Sequence, residues 1–416
     1  MFGRKDIEDV FTPRNPEVNN GMYIQRISLE KELLRSIKGS MHSFLFGESG
    51  TGKSWLYKKL FADENIDYVV ANCSNANRNG SIEEEIYSVC VKDGKAIETG
   101  YSKTKKGGVK LGGTAEISKK RDFTVKERDV LEYSFQELAK NSRSKPAVIV
   151  FDNLEMIFKS EALMSELSNI IILLDDARYA KHNIKFLIVG VPNQVLQYFS
   201  SIENPSSVGN RIQELSRVQG LDLPQVNELV EKGFTKYLKV DIPENDRLKL
   251  AEDVFNLTLG VPLRVHEYCV SIAYEIKDNG WKYNPDCLDA ASYAWLRDGL
   301  RENYSIIEKY LNSEGTTYGR RNQVIYAIGK TTSHEFDTST IGNIVSREFV
   351  HSAPERNSGI GRILSSLTKG DKPIIRREGN SNSFVVTDPR HLMCIRAMLY
   401  KEEESDKVIK KVFSVA

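Results

Sequence analysis

No stretch of this chain is long and apolar enough to span a bilayer. The longest aliphatic run is residues 170–174, IIILL, against the roughly 20 residues a spanning helix needs. Neither sign of charge dominates: 58 Lys+Arg stand against 57 Asp+Glu, a formal net charge of +1. Overall charge therefore says nothing about nucleic acid, and only local patches bear on it. Cysteine is sparse and scattered. Cys73, Cys90, Cys269, Cys287 and Cys394 fall into no metal-ligand spacing, which speaks against a disulfide or zinc scaffold and for reduced thiols. The opening residues, MFGRKDIEDV, lack the apolar centre of a signal peptide. A cytoplasmic location with no membrane partner is expected. What is left is 416 residues, 40% of them apolar, with room for two or three domains.

Gly47, Glu48, Ser49, Gly50, Thr51, Gly52, Lys53 and Ser54 read GESGTGKS, which fits the phosphate-binding loop G-x-x-x-x-G-K-[ST]. An apolar stretch, SFLF, precedes it and WLYKKL with helical spacing follows, the strand–loop–helix context that the motif needs. The glycines let successive N–H groups face a phosphate, and the helix N-terminus adds its positive dipole end. Lys53 is expected to reach the β- and γ-phosphates of ATP, and the Ser54 hydroxyl to ligate Mg²⁺.

A second motif suits the first. Residues 147–151, AVIVF, have no polar face, as in a strand covered on both sides. They end in Asp152, the expected second partner of Mg²⁺. Asn153 follows, and the nearest candidate for a catalytic glutamate is Glu155.

Strand patterns at 42–47, 67–73, 147–153 and 184–190, with 217–223 as a fifth, alternate with helical patterns such as 125–140 and 161–178. Such alternation implies a parallel sheet with helices on both faces. Beyond Pro224 the pattern turns helical at 228–239, 246–257 and 262–275, a helical lid. Further on, helical segments at 322–330, 340–349 and 354–368 are followed by a strand pair, 373–378 and 383–387, joined by GNSN. Three helices and a hairpin make a winged helix-turn-helix. Ile360, Ile363, Leu364 and Leu367 form its buried stripe, while Arg356, Asn357 and Arg362 project elsewhere and Arg376 and Arg377 sit in the wing. The expected division is an α/β P-loop core over 1–223, a lid over 224–312 and a winged-helix domain over 313–416. The core carries an insertion at about 92–128, too long for a tight connection. Within 101–128 nine Lys/Arg face only Glu116, Asp122 and Glu127. That run suits phosphates of nucleic acid, an acidic protein partner, or plain solvent.

On these motifs the chain resembles an AAA+ ATPase of the origin-recognition/initiator and STAND-like group, over roughly residues 20–400. The segment YIQRISLE at 23–30 resembles the family's box before the first strand. The resemblance implies a γ-phosphate sensor at Asn193, after the strand that ends in VPN. It implies an arginine finger presented to a neighbouring subunit at Arg211 in SVGNRI, with Arg217 as competitor, and a second sensor at Arg264 in LGVPLRVH. Asn153 departs from the family's Asp-Glu pair, so hydrolysis is expected to be slow or to use Glu155. Homo-oligomers or partner proteins are implied. In initiators the winged helix engages DNA; in STAND proteins its equivalent clamps the nucleotide and gates assembly. The expectation is an ATP-binding and hydrolysing switch that engages DNA in replication, transposition or anti-phage defence. The alternative is a signalling or scaffold ATPase that binds none.

Overall fold

A computed structural model describes residues 3–91, 129–191, 205–312, 319–333, 335–352, 359–379, 382–402, 404 and 406–412. The basic insertion at 92–128, Asn193, Arg356 and Asn357 lie outside them.

One body, residues 25–49 and 53–218, is built on five parallel strands. They are β1 (His42–Phe46), β2 (Tyr68–Asn72), β3 (Ala147–Asp152), β4 (Ile184–Gly190) and β5 (Ile212–Glu214), in the order β2-β3-β4-β1-β5. Alternation along β3 divides its apolar run between two cores. Ala147, Ile149 and Phe151 join Phe44, Ile188, Phe135 and Leu167 on one side. Val148 and Val150 join Leu45, Leu187, Leu56 and Phe61 on the other. Such strands have no wet face, which is why they read as unbroken apolar runs. Helices are started by side chains that satisfy free N–H groups. Asp129 accepts from Glu132 N–H for Val130–Asn141, and Ser160 from Leu163 N–H for Glu161–Leu173. The helix expected over 161–178 stops early, and a short turn, Ala177–Ala180, follows it.

The fifth strand does not lie at 217–223, where the apolar pattern puts it. It is the short edge segment Ile212–Glu214, paired to β1 alone. Residues 215–222 have no regular structure. Their apolar side chains are nevertheless buried, Val218 and Leu221 among them, and single backbone bonds hold them. Val218 N–H donates to Phe46 O at 2.8 Å, and Leu221 N–H to Gly260 O at 2.7 Å. Burial without a ladder mimics a strand in sequence.

The other body comprises residues up to Ile24, Gly50–Gly52 and everything from Gln219 onward. Helix Leu223–Val230 opens with a capping box between Asp222 and Gln225 and runs into a π-helical turn, Glu231–Tyr237. There a Cβ on Gly233 would stand 2.3 Å from the Phe11 ring, so the N-terminal segment packs directly on backbone. Helices Glu244–Thr258, Pro262–Asp278, Cys287–Gly299 and Arg301–Tyr310 complete the lid region. Then come helix Arg320–Gly329, β6 (Glu335–Asp337), helices Thr338–Glu348 and Ile360–Leu367, β7 (Ile375–Arg377) and β8 (Ser383–Val386). β6, β8 and β7 form an antiparallel sheet. Ile360, Leu364 and Leu367 are buried, with Ile363 packed beside them. Strand β6, helix Pro389–Met398 and the hairpin of β9 (Leu399–Glu402) and β10 (Lys407–Lys410) go beyond the sequence pattern. One continuous core runs from Phe11 and Phe234 through Trp295 to Phe349 and Met398. Arg396 fastens it: its guanidinium donates to Gly329 O and Thr331 O, both at 2.7 Å, and to Asn256 O. No helix among the described residues is long and apolar enough to cross a membrane.

Candidate functional site

All five core strands run the same way, so the loop after β1 and the carboxylate ending β3 lie on one edge of the sheet, with β4 between them. Open α/β sheets receive ligands at this carboxyl edge. In the loop, Gly50 and Gly52 have φ of 83° and 86°, the left-handed region that only glycine enters freely. Thr51 between them is buried. Lys53 begins helix Lys53–Asp63, and its ammonium donates to Gly47 O at 2.7 Å and Glu48 O at 3.0 Å. Burial depresses its pKa, and the nearby carboxylates of Glu155, Asp152 and Glu48 oppose that shift. A cation so placed, ringed by loop backbone, gains more from a phosphate than a solvated lysine would. Gly50 packs with the lid-side body, where Leu263 N–H donates to its carbonyl at 3.2 Å.

Ser54 Oγ lies 3.4 Å from Asp152 Oδ2, a long donation. Asp152 Oδ1 accepts from Asn153 N–H at 2.9 Å. These two hard oxygens, one hydroxyl and one carboxylate, suit a cation that draws its other ligands from phosphate and water. Asn153 has φ 60°, ψ 44°, a left-handed conformation that asparagine tolerates better than most side chains. Its amide donates to Asn72 Oδ1 at 3.3 Å, and Asn72 also caps the helix Cys73–Asn79 by accepting from Ser74 N–H. Asn153 is thereby tied sideways to β2. Glu155 lies in the 3₁₀ turn Leu154–Met156, partly exposed.

The three arginines expected to act on the nucleotide, Arg211, Arg217 and Arg264, are each engaged by a carboxylate. Arg211, just before β5, donates to Asp175 at 2.7 Å and to Ser207 O at 2.6 Å. Its own carbonyl accepts from His42 N–H, where β1 begins, at the sheet edge opposite the loop. Arg217 pairs with Glu48 of the loop itself at 2.8 Å. Arg264, in the first turn of helix Pro262–Asp278, donates to Glu267 at 2.6 Å. Arg362, Arg376 and Arg377 are exposed on the third helix and the hairpin. Arg377 donates to Ser365 Oγ and lies over the Phe384 ring.

Three features near the site carry little trace in the sequence. The Asn72 contact needs β2 beside β3, a pairing no local pattern encodes. The Arg217–Glu48 pair joins residues far apart in the chain. Tyr57 looks like one more core aromatic; only its place one turn after Lys53, on the same helical face, gives it away.

Residues 36–199 match the family described as an AAA domain. No curated protein sequence matches the chain. Among solved structures, a Walker-type ATPase of Pyrococcus abyssi is similar at 17% identity, covering 90% of this chain and 96% of its own, with a TM-score of 0.50. The ORC2 protein of Aeropyrum pernix, in ADPNP–ADP complexes, follows at 14% identity, 93% and 96% coverage and a TM-score of 0.49. The ORC1 protein of the same organism, in complex with DNA, stands at 14% identity, 93% and 95% coverage and 0.44. The first of these shows the fold; the other two superpose too loosely to carry an argument.

Proposed function

We propose that this chain, whose residues 36–199 match an AAA domain, is an ATP-driven switch that binds and hydrolyses Mg²⁺-ATP. The observation that carries the reading is the Lys53/Ser54–Asp152 arrangement: a half-buried ammonium on the loop backbone and a hydroxyl–carboxylate pair beside it. In this reading the backbone of Gly47–Ser54 cradles the phosphates, and Lys53 leaves the carbonyls of Gly47 and Glu48 for phosphate oxygens. Ser54 and Asp152 hold the cation. Bound Mg²⁺ offsets charge on the phosphoryl oxygens. Glu155 orients the attacking water in place of the residue at 153, Asn193 and Arg264 sense the γ-phosphate, and Arg211 serves a neighbouring copy. The parts are a core over 1–223, a lid over 224–312 and a winged helix over 313–416, in a homo-oligomer or with a partner protein.

Calorimetry tests the core of this reading. Lys53→Ala removes the fixed cation of the cradle and is expected to weaken ATP binding by about 100-fold, from the loss of charge-assisted hydrogen bonds. Parent-like affinity in a folded variant would overturn the site.

For the output of the switch, we infer engagement of duplex DNA. The element order helix, β6, helix, helix, β7, β8 is that of a winged helix-turn-helix, and Arg362, Arg376 and Arg377 are exposed on it. The second reading, a STAND-like switch whose C-terminal domain gates assembly, is favoured by the core that this domain shares with the lid. Fluorescence anisotropy with labelled duplex across a salt series decides between them. Binding that weakens steeply with salt, and loses about one unit of slope for each of Arg376 and Arg377 neutralised, supports DNA. No binding at low salt supports the gating switch.

A further inference from the structure

One polar atom at the edge of the site has no work in the fold. Tyr57 is fully buried in the core beneath the loop helix, its ring against Phe61 and Tyr68. Its hydroxyl has no hydrogen-bond partner. A phenylalanine would fill the same volume without burying an unsatisfied hydroxyl, which is costly in apolar surroundings. Asp152 continues the face of β3 on which Val148 and Val150 join the core that holds Tyr57, and after burial itself its charge is the largest influence raising this phenol's pKa. Asp152 has accepting capacity left. Its Oδ1 takes a single N–H, from Asn153, and its Oδ2 is only loosely approached by Ser54 at 3.4 Å.

We propose that Tyr57 is a positioning residue for the divalent cation: when the cation is bound, its buried hydroxyl donates to Asp152 and fixes the carboxylate in the orientation that the cation requires. The proposal rests on the reading of Asp152 as the cation's protein partner. Tyr57 follows Lys53 by one helical turn, so one face of helix Lys53–Asp63 supplies both the cation for the phosphates and the donor for the carboxylate. Groups that orient a metal ligand typically contribute about 10- to 100-fold in metal affinity.

The test uses Mn²⁺ as a paramagnetic probe, titrated into the full chain with ADP and followed by electron paramagnetic resonance. Tyr57→Phe is expected to weaken Mn²⁺ by about tenfold while ADP binding in EDTA stays at the parent value. Asp152→Asn is expected to weaken Mn²⁺ further. Thermal unfolding in EDTA provides the structural check: Tyr57→Phe should melt at or above the parent temperature, because the hydroxyl it removes is unsatisfied there. Parent-like Mn²⁺ affinity in Tyr57→Phe, with Asp152→Asn impaired, overturns the role of Tyr57 and leaves Asp152 standing. Parent-like affinity in Asp152→Asn overturns the Asp152 reading and this proposal with it. A melting temperature well below the parent would give Tyr57 a structural role instead and also overturn it.

Discussion

Arg264 and Glu267 form an ion pair of 2.6 Å in which both side chains are almost out of solvent, at 12% and 11% exposure. The same carboxylate also holds the exposed Arg14 at 2.9 Å. Arg264 is thus kept on an internal counter-charge. Removing one member of a buried pair costs more than the pair contributes, because the other charge is left uncompensated. Glu267→Gln is expected to destabilise the nucleotide-free protein by about 1–3 kcal/mol. If Arg264 senses the γ-phosphate, ATP should then raise the melting temperature of the variant by more than it raises that of the parent. Arg264→Ala should remove that extra gain. Differential scanning fluorimetry with and without ATP measures both.

In the proposed reading, variants at 152–155 separate binding from turnover. Asp152→Ala should lose Mg²⁺-dependent hydrolysis. Glu155→Gln should bind ATP as the parent does and slow phosphate release by about 100-fold or more, the usual contribution of a positioned acid–base group. Turnover at the parent rate would remove Glu155 from the mechanism. Asn153→Glu is the companion variant: the Asn153 side chain is turned toward Asn72, so a glutamate there is not expected to raise turnover.

Arg211 is held by Asp175 in its own chain. Ion pairs this exposed contribute little, on the order of 0–1 kcal/mol, so the pair does not prevent release toward a neighbour. Arg211→Ala should be inactive by itself. Mixing it with inactive Lys53→Ala should recover part of the activity, since a hybrid interface can join an intact site to an intact finger. Activity strictly proportional to enzyme concentration, with a monomer by light scattering, would exclude action in trans.

Two buried histidines give the pH dependence of stability. Burial pushes His42 and His266 down to about 4. His266 Nδ1 accepts from Thr12 N–H, and His42 Nδ1 from Phe186 N–H, so both are held neutral. As pH falls below about 6.5 the unfolded chain takes up protons that the folded chain refuses, so stability declines through the window from 6.5 to 4. Each histidine accounts for up to about 3 kcal/mol, at 1.36 kcal/mol per pKa unit. Urea unfolding at stepped pH should show this slope, and His266→Gln should flatten it.

The core of the fold and the tight turn of the Gly47–Ser54 loop were legible because their signals are local. Residues 147–151 are apolar at every position since β3 is covered on both faces, and GESGTGKS is dictated by the turn it makes. The displaced fifth strand was not legible: Ile212–Glu214 is a short edge with two exposed polar residues, whereas the better-looking apolar segment after it is buried without a partner strand. Helix Pro389–Met398 announces itself through Asp388, which caps it, and a proline in its first turn. The π-helical turn at Gly233 depends on Phe11, more than two hundred residues earlier, and only tertiary packing brings them together.

Arg396 has a mechanical consequence. Its three acceptors lie on the lid helix Glu244–Thr258 side at Asn256 and on the C-terminal side at Gly329 and Thr331, and the apolar core runs unbroken across that seam. A joint riveted in this way has no play. The helix that carries Arg264 and strands β7 and β8 belong to that same core, so they move as one body.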